Sequence, residues 1–160
     1  MDVVGLLVGK LAELAAPLWS RHRFRPRLRI DLSWKSVQVW FPGMRTSRWR
    51  VVSLEVTASK SEEYVIAKGT IEASQRPPRS WRPVADLAEF LRLPVVIAAN
   101  RRWDGSISGP TLADALSPLF PTVDAGTIHC RVILEDHFKT RVVSEPLPLT
   151  LPELRREESA

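Results

Sequence analysis

Apolar and polar residues alternate with period two through Val52-Ser53-Leu54-Glu55-Val56-Thr57-Ala58, as a strand with one buried face requires. A polar break at Ser59-Lys60-Ser61-Glu62-Glu63 follows, and Tyr64 to Ala73 is again strand-like, rich in β-branched and aromatic residues. The rest of the chain is expected to pack around this pair.

Upstream, residues 3–19 carry helical periodicity. Val4, Leu7, Val8, Leu11, Leu14, Ala15 and Leu18 fall within an arc of roughly 120°, with Asp2, Lys10 and Glu13 away from it. Pro17 limits this helix at its last turn. The stretch is too short and too interrupted to span a bilayer, which takes about 20 mostly apolar residues. Arginines then occupy every second position from Arg21 to Arg29. Leu28, Ile30 and Leu32 are expected to point inward on a first strand, with Arg27, Arg29 and Asp31 on its solvated face. Ser36 to Phe41 reads as a second short strand closed by the Pro42-Gly43 turn.

Beyond the central pair, Gln75 to Pro83 is a proline- and arginine-rich loop, and Val84 to Leu91 has helical spacing. Leu93 to Ala99 reads as a buried strand and Asp104-Gly105 as a hairpin-type turn. Thr111 to Leu119 predicts a short helical turn with Thr111 near its cap. Thr127 to Leu134 and Phe138 to Ser144 are expected as strands flanking a turn at Glu135-Asp136-His137. Pro146 and Pro148, alternating with Leu147, Leu149 and Leu151, fit an edge strand. The fold class is therefore mainly β. Residues 1–25 form an amphipathic helix and arginine segment, 26–152 a sandwich domain with one or two helical turns in its loops, and 153–160 a solvated tail.

Two segments sharpen the fold. Val52 to Ser59 resembles the second strand of an immunoglobulin-type domain, with Val56 where a cysteine usually stands. Asp124-Ala125-Gly126-Thr127-Ile128-His129-Cys130 is similar to that family's sixth-strand pattern, with Cys130 in the cysteine's place. The resemblance implies an immunoglobulin-like β-sandwich. It departs from the family where Ile128 stands at the corner tyrosine's position and where no tryptophan follows Val56 at the usual distance. Such sandwiches host many functions, so no activity follows from it.

Charge changes the picture in one region. The net +5 is uneven: residues 1–50 hold ten Lys/Arg against three Asp/Glu, and residues 51–160 thirteen against fifteen. A local anionic partner near the N-terminal third is implied. The helix followed by Arg21, Arg23, Arg25, Arg27 and Arg29 has the composition of an interfacial anchor. Its attachment residues would be Val4, Leu7, Val8, Leu11, Leu14, Leu18 and Trp19. The same stripe equally suits docking on the sandwich or on a partner helix.

Chemistry is sparse. Cys130 is the single cysteine, which excludes an intrachain disulfide and fits a reducing, cytoplasmic location, with membrane association left open. His129 and Cys130 are strand neighbours and point to opposite faces, so Cys130 is expected as a buried apolar residue. No catalytic residue, cofactor or metal site is implied. Of six tryptophans, Trp81 and Trp103 fall in loops beside Arg79, Arg82, Arg101 and Arg102, able either to stack on sugars or bases or to pack beneath guanidinium groups. The expected function is a non-catalytic interaction or accessory module with a protein partner or an anionic membrane surface. Nucleic-acid binding through Arg21–Arg29 and carbohydrate binding through Trp81 and Trp103 are the alternatives.

Overall fold

The computed structural model describes residues 28–39, 42, 47–58, 63–121 and 126–159. Within them the chain is mainly β, with ten strands in two antiparallel sheets and two short helices. The helix expected over 3–19, the run Arg21–Arg27 and the residues Val4, Leu7, Val8, Leu11, Leu14, Leu18 and Trp19 lie outside the described residues.

In the first sheet β1 (Leu28–Val39) pairs along its whole length with β2 (Ser47–Ala58). The other edge of β2 carries β6 (Arg102–Ser108) and β10 (Glu157–Ser159). In the second sheet β3 (Tyr64–Ser74) is flanked by β7 (Ile128–Asp136) on one side and by β4 (Arg82–Asp86) and β5 (Val95–Ile97) on the other. The far edge of β7 pairs with β8 (Arg141–Val143) and β9 (Leu147–Leu149). The two strands singled out by their alternation are thus not hydrogen-bonded to each other. They are the central strands of opposite sheets.

One hydrophobic core joins the sheets. Val52, Leu54, Val56 and Ala58 of β2 are buried together with Ile66, Ile71 and Ala73 of β3 and Ile128, Cys130, Val132 and Leu134 of β7. Leu28 and Ile30 point inward as expected, and Arg29 and Asp31 pair on the outer face. Each large apolar side chain buried in this way contributes about 1.5–3 kcal/mol. Helix α1 (Gly109–Leu116) and the single turn α2 (Leu151–Leu154) add Leu112, Leu116, Leu151 and Leu154 to the core. Gly109 permits the close approach. A Cβ there would lie 2.5 Å from the Leu154 carbonyl oxygen and 2.7 Å from that of Arg50.

Several elements differ from the sequence reading. Leu28 to Val39 is one continuous strand, because β2 offers a matching partner at every position. Val84 to Leu91 is not helical at its start: residues 82–86 pair with β3, and only Leu87–Glu89 forms a 3-10 turn, capped by Asp86. Asp104-Gly105 is no turn either. It lies within β6, where a Cβ would come within 2.8 Å of the Leu91 side-chain end, Cδ1. The strand expected over Leu93 to Ala99 shortens to Val95–Ile97, and that over Phe138 to Ser144 to Arg141–Val143. α1 begins at Gly109 with Ser108 at its N-cap rather than near Thr111. Residues 153–160, expected as a solvated tail, hold buried Leu154 and the β10 strand. Their anchor is Thr150, whose Oγ1 accepts from the Glu153 amide at 3.3 Å and caps α2.

Candidate functional site

β3 and β7 run antiparallel, so the β7–β8 turn lies at the Tyr64 end of β3 and the β3–β4 loop at its Ser74 end. Each end presents a different surface.

At the first end, β7 extends through Glu135 and Asp136, and the turn begins at His137. The alternation of β7 points Asp136 inward, leaving it 2% exposed. A buried carboxylate needs donors, and the turn backbone supplies two, both to Oδ1, while Oδ2 is buried without a partner among the described residues. Asp136 Oδ1 accepts from the Phe138 amide at 2.9 Å and the Thr140 amide at 2.8 Å. The Asp136 amide donates to the Thr140 carbonyl at 3.1 Å, and the Lys139 amide donates to the Asp136 carbonyl at 2.9 Å. Lys139 takes a left-handed conformation with φ 62°. The His137 amide donates to the Val65 carbonyl at 3.1 Å, which fastens the turn to β3.

This bonding holds Phe138 out in solvent, 73% exposed, with the His137 ring 3.8 Å away. Val96, 56% exposed, is the cross-strand partner of Val65, the residue whose carbonyl takes the His137 amide. The result is an exposed phenylalanine on a fixed turn, with Lys139 exposed on the turn itself and Lys68 exposed on β3 opposite Glu135. The sequence reading passed over Phe138 and Val96. The available signal was a phenylalanine inside an otherwise polar turn.

At the second end, Ser74 is fully buried and ties the loop that follows. Its Oγ accepts from the Arg76 amide at 3.0 Å and lies 3.4 Å from Ser80 Oγ. The Arg79 amide donates to the Arg76 carbonyl at 3.2 Å. The tied loop and the segment after α1 enclose an open cleft of about 390 Å³, lined by Gln75, Arg76, Ser80 and Arg82 opposite Leu119 and Phe120. Arg82 Nη1 donates to the Leu119 carbonyl at 3.5 Å. Neither arginine forms an ion pair with a carboxylate among the described residues.

The two loop tryptophans occupy different settings. The Arg131 guanidinium lies 4.0 Å from the Trp81 ring centroid and also donates to Glu72 Oε2 at 2.7 and 2.9 Å. Trp81 therefore packs beneath an arginine, but one from β7 rather than its neighbours Arg79 and Arg82. Its Nε1 and His129 Nδ1 are buried without a partner among the described residues. Trp103 is not in a loop. It is in β6 opposite Val56, half-buried against the core.

Of the expected anion contacts, Arg29 alone falls among the described residues. It is exposed and pairs with Asp31 at 2.9 Å, beside a second cleft of about 400 Å³ between the edge strands β1 and β8. Leu28, Ile30, Val142 and Val143 line the apolar part of that cleft.

His129 and Cys130 face opposite sides of β7, as the strand alternation requires. Burial pushes the Cys130 thiol up to about 12. Glu135 pairs with Arg141 at 3.1 Å, and Asp136 is engaged by the turn backbone. No group of three His, Cys, Asp or Glu suited to a metal ion occurs among the described residues. No helix among them is long and apolar enough to cross a membrane.

No protein-family model matches the chain. No curated protein matches it either. Among solved structures, one similar to it is a target of the Northeast Structural Genomics Consortium, with TM-score 0.43 and 7% identity, covering 82% of this chain and 92% of that one. A protein from Archaeoglobus fulgidus matches with TM-score 0.37 and 12% identity, over 75% of this chain and 97% of that one. A Bordetella pertussis protein described as an ApaA protein matches with TM-score 0.36 and 9% identity, over 78% and 96%. At these scores they define neither a family nor an activity for this chain.

Proposed function

We propose that this chain is a non-catalytic interaction module with an immunoglobulin-like β-sandwich fold. The strand order supports the fold: β1, β2 and β6 share one sheet, β4, β3, β7 and β8 the other, and the chain crosses between sheets from β2 to β3. Val56 and Cys130, the positions matching the family's paired cysteines, are buried on the inner faces of opposite sheets. The non-catalytic reading is supported by Cys130 itself. A thiol pushed up to about 12 and buried in the core supplies no thiolate nucleophile at neutral pH.

One observation carries the interaction: a phenylalanine 73% exposed on a turn fixed by four hydrogen bonds within it. A rigid aromatic pays little ordering entropy on docking, which is the property of an interface anchor. The partner is a protein with an apolar pocket for Phe138 and carboxylates at its rim, matching Lys68 and Lys139. The N-terminal stripe of Val4, Leu7, Leu11, Leu14 and Leu18 with Arg21, Arg23 and Arg25 would attach the module to a membrane surface or a partner.

Flotation with phosphatidylserine vesicles tests the attachment. The full chain is expected to float at low salt, and Leu7→Glu with Leu11→Glu to abolish it. Flotation unchanged by that pair would remove the helix from the account. Absence of flotation by the unaltered chain would leave a protein as the attachment partner.

A further inference from the structure

We infer that the cleft between the β3–β4 loop and the segment after α1 binds a phosphate monoester group. The cleft lies at the opposite end of β3 from the docking turn and shares no residue with it. Arg76, on the loop that Ser74 ties, and Arg82, the first residue of β4, both line this cleft. Two arginines line one opening, neither of them ion-paired with a carboxylate among the described residues, and a dianion matches two such cations. A monocarboxylate would neutralise one of the two, whereas a phosphate monoester carries close to two charges at neutral pH.

The donors also suit that shape. Arg76, Arg82, Ser80 and Gln75, which line the cleft, all carry side-chain donors, and Arg82 commits only Nη1 to the Leu119 carbonyl, so several oxygens of a tetrahedral group can be met. Leu119 and Phe120 form the facing wall, against which the ester's carbon substituent would lie. The volume of about 390 Å³ accommodates a phosphate with a small organic body. The phosphate could belong to a soluble metabolite or to a lipid headgroup, and the chemistry at the arginines is the same for both.

The test follows amide and guanidinium resonances of the full chain through a titration with inorganic phosphate. Saturable shifts confined to Arg76, Ser80 and Arg82 and their neighbours are expected. Arg76→Gln and Arg82→Gln should each weaken the affinity by about tenfold while leaving the remaining spectrum unchanged. Binding should tighten as the pH rises through the second ionisation of inorganic phosphate, where the dianion forms while the arginines stay charged. Vesicles containing phosphatidic acid distinguish the sources. Retention lost in the Arg76→Gln, Arg82→Gln double variant points to the lipid, and phosphate binding without such a loss points to a soluble ester. Absence of a saturable shift, or shifts unaltered by both substitutions, would overturn the inference.

Discussion

The two ends of β3 use one structural device for opposite purposes. At each end a buried side-chain oxygen accepts backbone amides and holds a connecting segment in place: Asp136 Oδ1 at the β7–β8 turn, Ser74 Oγ at the β3–β4 loop. One presents an exposed phenylalanine, the other a pair of arginines. The eleven residues of β3 separate them by roughly 33 Å. Local chemistry at the ends thus varies freely while the sheet between them stays apolar inside. A carboxylate accepting two amides also binds its turn more firmly than a hydroxyl accepting one.

That asymmetry gives the largest expected effect. Asp136→Ala leaves two turn amides without their acceptor and should cost about 3 kcal/mol of unfolding free energy. Chemical denaturation measures it, and amide exchange at Phe138 and Thr140 should accelerate in the same variant. Asp136→Asn keeps one acceptor oxygen and should recover part of the loss.

Close to the Ser74 end, opposite Ala73, Cys130 supplies a pH test. Its folded thiol is raised from the ordinary 9.0 to about 12 by burial, so the unfolded chain releases this proton first. The stability contributed by the neutral thiol is complete below about pH 9 and is lost as pH rises towards 12. The slope between these limits approaches about 1.4 kcal/mol per pH unit. Cys130→Ala should remove that part of the alkaline loss, measured as the difference between the two stability curves.

Ser74→Ala, at the arginine end, should cost about 1 kcal/mol, since one neutral hydrogen bond and one weak hydroxyl contact disappear. An equal cost for Ser74→Ala and Asp136→Ala would break the comparison. The smallest effect belongs to Phe138→Ser. The ring makes little contact with its own domain, so stability should change by less than about 0.5 kcal/mol. A larger loss would show Phe138 to be part of the fold rather than a surface for another molecule.

Much of the fold was legible wherever one face of a strand is buried. Val52 to Ala58 and Thr127 to Leu134 show this, because burial imposes period two on the residues themselves. Strand pairing was less legible. Nothing in Ser59 to Glu63 distinguishes a hairpin turn from a crossing between sheets, so the separation of β2 and β3 had to come from tertiary structure. Val84 to Leu91 carries a helical spacing that pairing with β3 overrides. Asp104-Gly105 has the composition of a turn, yet Gly105 pairs with Leu54 inside β6.

The candidate sites were harder still. Trp81 and Trp103 drew attention as loop aromatics, yet one lies under Arg131 and the other lines the core. Exposure decides a docking residue, and composition does not report exposure. The loop Gln75 to Pro83 was visible as arginine-rich, but that Arg76 and Arg82 line one cleft depends on the Ser74 bond to the Arg76 amide and on the pairing of Arg82 with Ala73.

The most direct test of the interaction reading incorporates a photo-reactive phenylalanine analogue at position 138 of the full chain, in its native cells. A second version carries the analogue at position 37, an exposed apolar position on the other sheet. A discrete protein adduct formed from position 138 and absent from position 37 is the result expected. No adduct from 138, or equal yields from both positions, would contradict the account.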